Sequence, residues 1–183
     1  LDVSIPSISA AYDARLQSNS QYTTKTSKES ISEDISSKDL SEALYFSRVS
    51  SMIQGLELIS KFSESENHEI SIVEVLENWR GGCIIRSNLL LDLKKEFSEN
   101  NSFYSLDNVF NNLQQNRTAI SKVLQVTTKN NFSTPVLSAS FNWFNNLTSV
   151  DNPSNLIQAQ RDFFGRHKVQ LVDSSIDINI DWD

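Results

Sequence analysis

The sequence is poor in residues that break or reverse a chain, with 4 glycines and 3 prolines among 183 residues. A β-sandwich of this length needs many tight turns, which glycine and proline usually supply. Their scarcity argues against an all-β fold and favours long helices. The sequence also lacks an uninterrupted apolar run of about 18 residues, so we predict no transmembrane helix and no membrane partner.

Cysteine and histidine are equally scarce, which limits disulfide and metal chemistry. Cys83 is the only cysteine, which excludes an intrachain disulfide and suits a reducing compartment. The only histidines are His68 and His167, so we expect no zinc site built from this chain alone. The sequence also has no G-x-G-x-x-G, P-loop or G-x-S-x-G motif, so the usual backbone devices that hold a dinucleotide are absent.

Acidic residues outnumber basic ones, and the formal net charge is −7. A nucleic-acid surface normally shows clustered lysine and arginine, so we predict no nucleic-acid partner. An anionic ligand would need a locally positive pocket. The apolar fraction of 38% and the charged fraction of 21% are typical of a folded domain rather than a disordered chain.

Apolar residues recur at the spacing of one helix face along most of the chain, which predicts an all-α, multi-helix fold. The polar stretch 17–39 predicts a solvated loop or a frayed helix end. The predicted helices cover residues 1–16, 40–62, 71–79, 83–97 and 106–127, followed by two that open at Thr134-Pro135 and Asn152-Pro153, the second ending near Gly165.

The last stretch, DSSIDINIDWD, changes from the helical to the extended period. Ile176, Ile178, Ile180 and Trp182 alternate with polar residues, which predicts one extended segment laid against an apolar surface. A lone strand has no sheet to join in an all-helical domain. We therefore expect a tail that docks either on its own domain or on a neighbour.

Two stretches contain arginines with a simple structural interpretation. In WRGGCIIRS, residues 79–87, the glycine pair would permit an anion nest, but a helix junction is the favoured interpretation because paired glycines fit many turns. Cys83 is interpreted there as a small core residue. Arg15, in YDARLQ, has a fork of donors that suits phosphate or carboxylate. A surface ion pair with a nearby acidic residue is the simpler interpretation.

A third stretch, QAQRDFFGRH, places basic residues around the end of a predicted helix. Arg161 lies in the last turn and His167 just after Gly165. The helix macrodipole favours basic groups there by roughly 0.3–1 kcal/mol each, so capping alone explains both. A phosphate prefers the opposite end of a helix, so an anion site here would depend entirely on the side chains. The two adjacent phenylalanines are interpreted as core contacts or interface anchors.

The strings WRGGCIIRS and NLIQAQRDFFGRH, in this order, resemble the C-terminal, all-helical domain of the 6-phosphogluconate dehydrogenase family. The segments SIPSISAAYDARLQS, EALYFSRV and INIDW are also similar to parts of that domain. The resemblance covers most of the chain and is weakest at 17–39 and 98–133.

The resemblance implies a division of labour within a larger homodimeric enzyme of the cytoplasmic pentose phosphate pathway. An N-terminal Rossmann domain outside this chain would bind NADP, and the catalytic base and acid would lie near its junction. The implied reaction converts 6-phospho-D-gluconate to D-ribulose 5-phosphate by oxidation and decarboxylation. Residues 1–183 would be the helical dimerisation and substrate-binding domain, without catalytic residues and inactive alone. The start LDVSIPSIS, which lacks methionine, agrees with a segment of a longer protein.

The resemblance also implies roles for three residues. Arg15 would contact the substrate phosphate, while Arg161 and His167 would reach into the active site of the other subunit. Arg161 would neutralise phosphate charge, and His167 would donate a hydrogen bond to substrate oxygens. Arg166 departs from the family, in which a small residue is common at this place.

Two other functions stay open on the sequence. One is a non-catalytic helical interaction module that kept the fold and lost the enzyme; the absence of a Rossmann fingerprint encoded upstream of Leu1 would favour it. The other is a related hydroxyacid dehydrogenase domain with a different substrate. The presence of both Arg15 and Arg161 favours a phosphorylated substrate over this second alternative.

Overall fold

The structure is a computed structural model that describes residues 1–19, 35–99, 103, 105–149, 152–171 and 176–182. The predicted all-α fold with a short extended tail is confirmed. The elements within the described ranges are α1 (Pro6–Ser18), α2 (Ser37–Ser65), α3 (Ile72–Arg80), α4 (Leu89–Glu99), α5 (Asp107–Lys129), α6 (Pro135–Thr148), α7 (Ser154–Gly165), β1 (Val169–Gln170) and β2 (Asp177–Ile178). Among these residues, no helix combines the length and apolar character that a bilayer crossing requires.

Helix α2, with 29 residues, presents an apolar face to the core between Ala43 and Leu56. Its first turn is stabilised by Ser36, whose Oγ accepts a hydrogen bond from the Asp39 N–H at 3.0 Å. Its buried apolar residues are Ala43, Phe46, Val49, Met52, Ile53 and Leu56. A large apolar side chain that is fully buried stabilises the fold by about 1.5–3 kcal/mol. Leu44 lies about 200° around the helix from Phe46, and its side chain is 56% exposed.

Helices α1 to α5 build one core around α2. Helices α5 and α1 both pack against α2, and α3 pairs with α4. The apolar residues that α4 and α5 bury are Leu89, Leu90, Leu93, Phe97, Val109, Leu113, Ala119, Ile120, Val123 and Val126. Their spacing of three and four residues is the helical pattern that predicted these elements.

A small polar network lies inside this core and joins α1, α2 and α6. Ser7 Oγ and Ser47 Oγ each lie 2.9 Å from Ser140 Oγ. The Gln54 side chain accepts from the Ser7 N–H and donates to Ser7 Oγ, both at 3.0 Å. All four side chains are buried, and a buried polar group without a partner is costly. The network therefore sets how these three helices meet.

The WRGGCIIRS stretch is a helix junction, as the simpler interpretation predicted. Helix α3 ends at Arg80, and turns follow. The predicted resumption of the helix at Cys83 is wrong, because α4 begins only at Leu89. The Ile84 side chain is 100% exposed, so no core contact holds it in a helix. The Arg86 N–H instead donates to the Cys83 carbonyl at 3.0 Å, which closes a turn.

The chain divides into two compact units, Leu1–Trp143 and Phe144–Asp183, with the boundary inside α6. In the second unit, β1 and β2 pair antiparallel, with Val169 opposite Ile178. The expectation that the tail would have no strand partner is therefore wrong: the short segment after α7 supplies one. Most of the predicted loop at 17–39 lies outside the described residues.

Candidate functional site

The candidate site lies at the C-terminal end of α7, in the second unit. The helix begins after Asn152, whose Oδ1 accepts a hydrogen bond from the Ser154 N–H at 2.9 Å. It ends at Gly165, and Arg166 follows in the left-handed conformation with φ 49° and ψ 43°. The predicted C-terminal end near Gly165 is confirmed, although the left-handed residue is the arginine and not the glycine. The helix begins at Ser154, one residue later than predicted, because Pro153 takes the N-cap position.

Gly165 leaves room for the His167 imidazole. A Cβ atom at position 165 would lie 2.7 Å from His167 Nε2 and 2.8 Å from its Cδ2, closer than such atoms can approach. Arg166 and Lys168, on either side of His167, have φ angles of 49° and 63°. Residues with a side chain adopt that region at a cost of about 1–2 kcal/mol each. Such a backbone persists only where surrounding contacts hold it.

Arg161 and His167 line the same two surface cavities, of about 380 Å³ and 550 Å³. Both side chains are exposed. Arg161 Nη1 donates to Gln158 Oε1 at 2.8 Å, which orients the guanidinium along the helix. The larger cavity is also lined by Lys168 and by one carboxylate residue, Asp177. The structure thus brings Arg161 and His167 of the QAQRDFFGRH motif together; their role in binding stays a prediction.

A buried carboxylate stands beside this pair. Asp162 is 0% exposed, and its two oxygens accept four hydrogen bonds, one of them from the Asn179 side-chain amide. Oδ1 accepts from the Lys168 N–H at 2.8 Å. Oδ2 accepts from the Ile180 N–H at 2.8 Å and from Trp182 Nε1–H at 3.1 Å. Asp162 therefore ties the end of α7 to both parts of the chain that follow it.

The surroundings of Asp162 favour its ionised form. Burial alone would raise the pKa of Asp162, because a buried carboxylate loses its hydration. Hydrogen bonds from Ile180, Trp182 and Lys168, together with the charge of Arg166, outweigh that effect and lower the pKa of Asp162 below its ordinary value of 3.8. The donors of the tail thus compensate the buried charge.

Asp162 is the residue of this site that the motif analysis did not single out. A carboxylate in the last turn of a helix is disfavoured, because the negative end of the macrodipole lies there. A residue placed against a local preference usually has a tertiary reason, and this was the signal available in QAQRDFFGRH. The donors that enclose the carboxylate supply that reason.

Arg15 lies in the last turn of α1, in the first unit, and its side chain is exposed. Within the described ranges it forms no ion pair, so the simpler interpretation as a paired surface arginine finds no partner there. Its contact with a phosphate stays a prediction. The described ranges also contain no group of three or more histidine, cysteine, aspartate or glutamate side chains that would hold a metal ion.

Comparison with known proteins shows which family the chain matches over nearly its whole length. Residues 1–182 match the family described as 6-phosphogluconate dehydrogenase, C-terminal domain. The chain is 31% identical over 195 residues to "6-phosphogluconate dehydrogenase, decarboxylating 1" of Oryza sativa subsp. japonica, covering 100% of this chain and 41% of the relative. It is 35% identical over 144 residues to "6-phosphogluconate dehydrogenase, decarboxylating" of Staphylococcus epidermidis, covering 77% and 31%.

A solved structure has a similar fold. It is Plasmodium falciparum 6-phosphogluconate dehydrogenase, in its apo form, in complex with its cofactor NADP+ and in complex with its substrate 6-phosphogluconate. The TM-score is 0.74 at 29% identity, covering 96% of this chain and 38% of that one. The chain therefore spans less than half the length of the relatives it matches.

Proposed function

The chain belongs to the 6-phosphogluconate dehydrogenase family, as its C-terminal domain, and from this premise we propose that it is part of an enzyme that converts 6-phospho-D-gluconate to D-ribulose 5-phosphate. The full enzyme oxidises and decarboxylates the sugar acid while reducing NADP, in the cytoplasmic pentose phosphate pathway. NADP binds mainly to a separate N-terminal Rossmann domain. Residues 1–183 contribute the dimer interface and substrate contacts and are inactive alone. The solved relative's complexes with NADP+ and 6-phosphogluconate support both ligands.

The observation that carries this proposal is the convergence of Arg161 and His167 on two shared cavities at the end of α7. The net charge of −7 gives an anion no general attraction to the chain, so binding must depend on local cations. The guanidinium fork of Arg161 matches the oxygens of a phosphate, and His167 donates a hydrogen bond to a substrate oxygen. The site thus suits a phosphorylated sugar acid.

The enzyme acts as a homodimer in which the phosphate is held from two sides. Arg161 and His167 of one protomer reach the active site of the other, where Arg15 of that other protomer contacts the same phosphate. Exposed aromatic rings support an interface in the second unit: Phe164 is 82% exposed. Its neighbour Phe163 contacts Phe164 and Trp182 edge to face, with ring centroids 5.2 Å and 5.5 Å apart. Aromatic clusters of this kind are typical of buried interfaces.

Replacing Arg161 by alanine in the full-length enzyme tests this function. Losing charge-assisted hydrogen bonds to phosphate costs about 1.5–3 kcal/mol, which raises the KM for 6-phosphogluconate about tenfold or more. The KM for NADP should change far less, because NADP binds mainly to the other domain. Steady-state kinetics with each substrate varied in turn measure both constants.

The matched control is Arg117→Ala, which removes an arginine from helix α5 in the first unit. It changes the net charge equally and should leave the KM for 6-phosphogluconate within about twofold. Equal effects of Arg161→Ala on both substrates would count against the phosphate role. Turnover by the isolated 183-residue chain would contradict the division of labour.

A further inference from the structure

We propose that Asp162 is a positioning residue that fastens the C-terminal tail to the end of α7 and thereby holds His167 beside Arg161. The inference rests on the function proposed above, because it concerns the residues that would contact the substrate phosphate. It adds a second group of residues to the site, Asp162, Asn179 and Trp182, which act on the ligand only through His167.

Two peptide groups flank His167, and both are hydrogen-bonded to this group. The Lys168 N–H, in the peptide bond after His167, donates to Asp162 Oδ1 at 2.8 Å. The Arg166 carbonyl, in the peptide bond before it, lies 3.0 Å from the Asn179 side-chain nitrogen in the amide orientation that satisfies both groups. In that orientation the same nitrogen also donates to Asp162 Oδ1 at 3.0 Å. The backbone on both sides of the imidazole is therefore fixed.

The tail is held by the other carboxylate oxygen. Asp162 Oδ2 accepts from the Ile180 N–H and from Trp182 Nε1–H, which lie beyond β2. This places Asn179 next to the Arg166 carbonyl, because Asn179 precedes Ile180 directly. One buried carboxylate thus holds both the turn that carries His167 and the segment that supports that turn.

The left-handed turn needs these contacts. Arg166 and Lys168 both have positive φ angles, and residues with side chains leave that region when nothing holds them. The Arg166 N–H donates to the Asp162 carbonyl at 2.8 Å, but this bond only caps the helix. Without the carboxylate, the turn is free to relax and the imidazole to leave its place over Gly165.

Asp162→Asn in the full-length enzyme is the sharpest test. An amide has one accepting oxygen where the carboxylate has two, so it cannot satisfy Lys168, Ile180 and Trp182 together. We expect the KM for 6-phosphogluconate to rise about tenfold or more, since misplacing a contact group by about 1 Å can cost up to about a hundredfold. The KM for NADP should stay within about twofold. Hydrogen exchange followed by mass spectrometry should show faster exchange in peptides covering 166–171 and 176–182.

Asp181→Asn is the matched control, because it makes the same chemical change beside the two tail donors on an exposed residue. It should leave the KM values and the exchange of both peptides unchanged. Trp182→Phe keeps an aromatic ring against Phe163 but removes one donor to Asp162. It should raise the KM for 6-phosphogluconate in the same direction by a smaller factor, and it tests the proposal if Asp162→Asn fails to fold.

Two results would overturn the proposal. One is a normal KM for 6-phosphogluconate in both Asp162→Asn and Trp182→Phe despite faster hydrogen exchange in the tail. The other is a raised KM in the absence of any change in exchange, since the carboxylate would then act by another route. Failure of the function itself is distinguishable: the unsubstituted enzyme would not turn over 6-phosphogluconate, or Arg161→Ala would leave its KM unchanged.

Discussion

The two units of the chain are stabilised by different means. The first, Leu1–Trp143, surrounds α2 with buried apolar residues from several helices. In the second, Phe144–Asp183, the only buried residues within the described ranges are Phe144 and Asp162. In the first unit, burial is spread over many apolar side chains. In the second unit, one buried carboxylate and its hydrogen-bond donors hold the end of α7 and the tail together.

The two units should therefore respond differently to the loss of one residue. Losing one residue from a distributed core weakens the whole unit, because its helices unfold together. Losing the shared acceptor of a small hydrogen-bonded unit releases a local segment while the rest of the chain stays folded. The two basic residues proposed to meet the phosphate lie on the second kind of structure, so their geometry depends on few contacts.

The largest effect is expected from Leu56→Ala, which removes a core side chain of α2 that is 0% exposed. The change should lower the free energy of unfolding by about 2–5 kcal/mol, through lost burial and the cavity it leaves. Urea denaturation followed by far-UV circular dichroism measures this. Leu44→Ala makes the same change on the exposed side of α2 and should cost much less. If Leu56→Ala and Leu44→Ala lowered the free energy of unfolding by similar amounts, the comparison between the units would have no basis.

A smaller effect is expected from Ser140→Ala in the polar network of the first unit. Ser7 and Ser47 would each lose the hydroxyl that lies 2.9 Å away. Leaving buried hydroxyls with fewer partners should lower the free energy of unfolding by about 1–3 kcal/mol. Ser138→Ala, also in α6, is the control and should stay within about 0.5 kcal/mol of the parent. If Ser140→Ala lowers the free energy of unfolding as little as Ser138→Ala does, the network adds little to the stability of the core.

The smallest effect is expected from acid, and it should be confined to the second unit. The pKa of Asp162 in the folded chain lies below its ordinary value of 3.8. Its ionised form therefore stabilises the tail above that pH, and this stabilisation is lost as the pH falls through the lowered pKa. The ¹⁹F resonance of fluorotryptophan at position 182 should be constant down to about pH 4 and shift below it.

The first unit contains two further tryptophans, Trp79 and Trp143, which report on global unfolding in the same titration. Their resonances should stay in place while that of Trp182 moves. In Asp162→Asn the low-pH change at Trp182 should be much smaller, because the carboxylate that accepts a hydrogen bond from Trp182 Nε1–H is gone. Simultaneous movement of all three resonances would mean that acid unfolds the chain as a whole.

Most helices could be predicted from the sequence, because their signals are local. The apolar spacing of α2 and α5 and the prolines that open α1 and α6 each act within a few residues. Ser71 and Glu74 form the S-x-x-E pattern of a capping box, and Ser71 accepts a hydrogen bond from the Glu74 N–H at 3.4 Å at the start of α3. The family was recognised in the same way, from two uncommon strings in a given order.

Other features could not be predicted, because they depend on residues far apart in the chain. Apolar residues at 83–85 looked like the start of a helix, but whether they reach a core is decided by packing, and Ile84 does not. Residues 169–170 gave no strand signal, since two residues cannot establish a period. Asp162 has the sequence context of an ordinary polar helix residue, and its donors follow it by 6, 17, 18 and 20 residues.

The sequence by itself determined the helical class, most helix ends, the acidic surface and the family, because periodicity, caps and motifs are properties of neighbouring residues. The tertiary structure alone decided which polar side chains became buried and what satisfied them. It turned Asp162 from a disfavoured residue at a helix end into the anchor of the tail. A buried charge is tolerated only where donors converge on it, and that convergence exists only once the chain has folded.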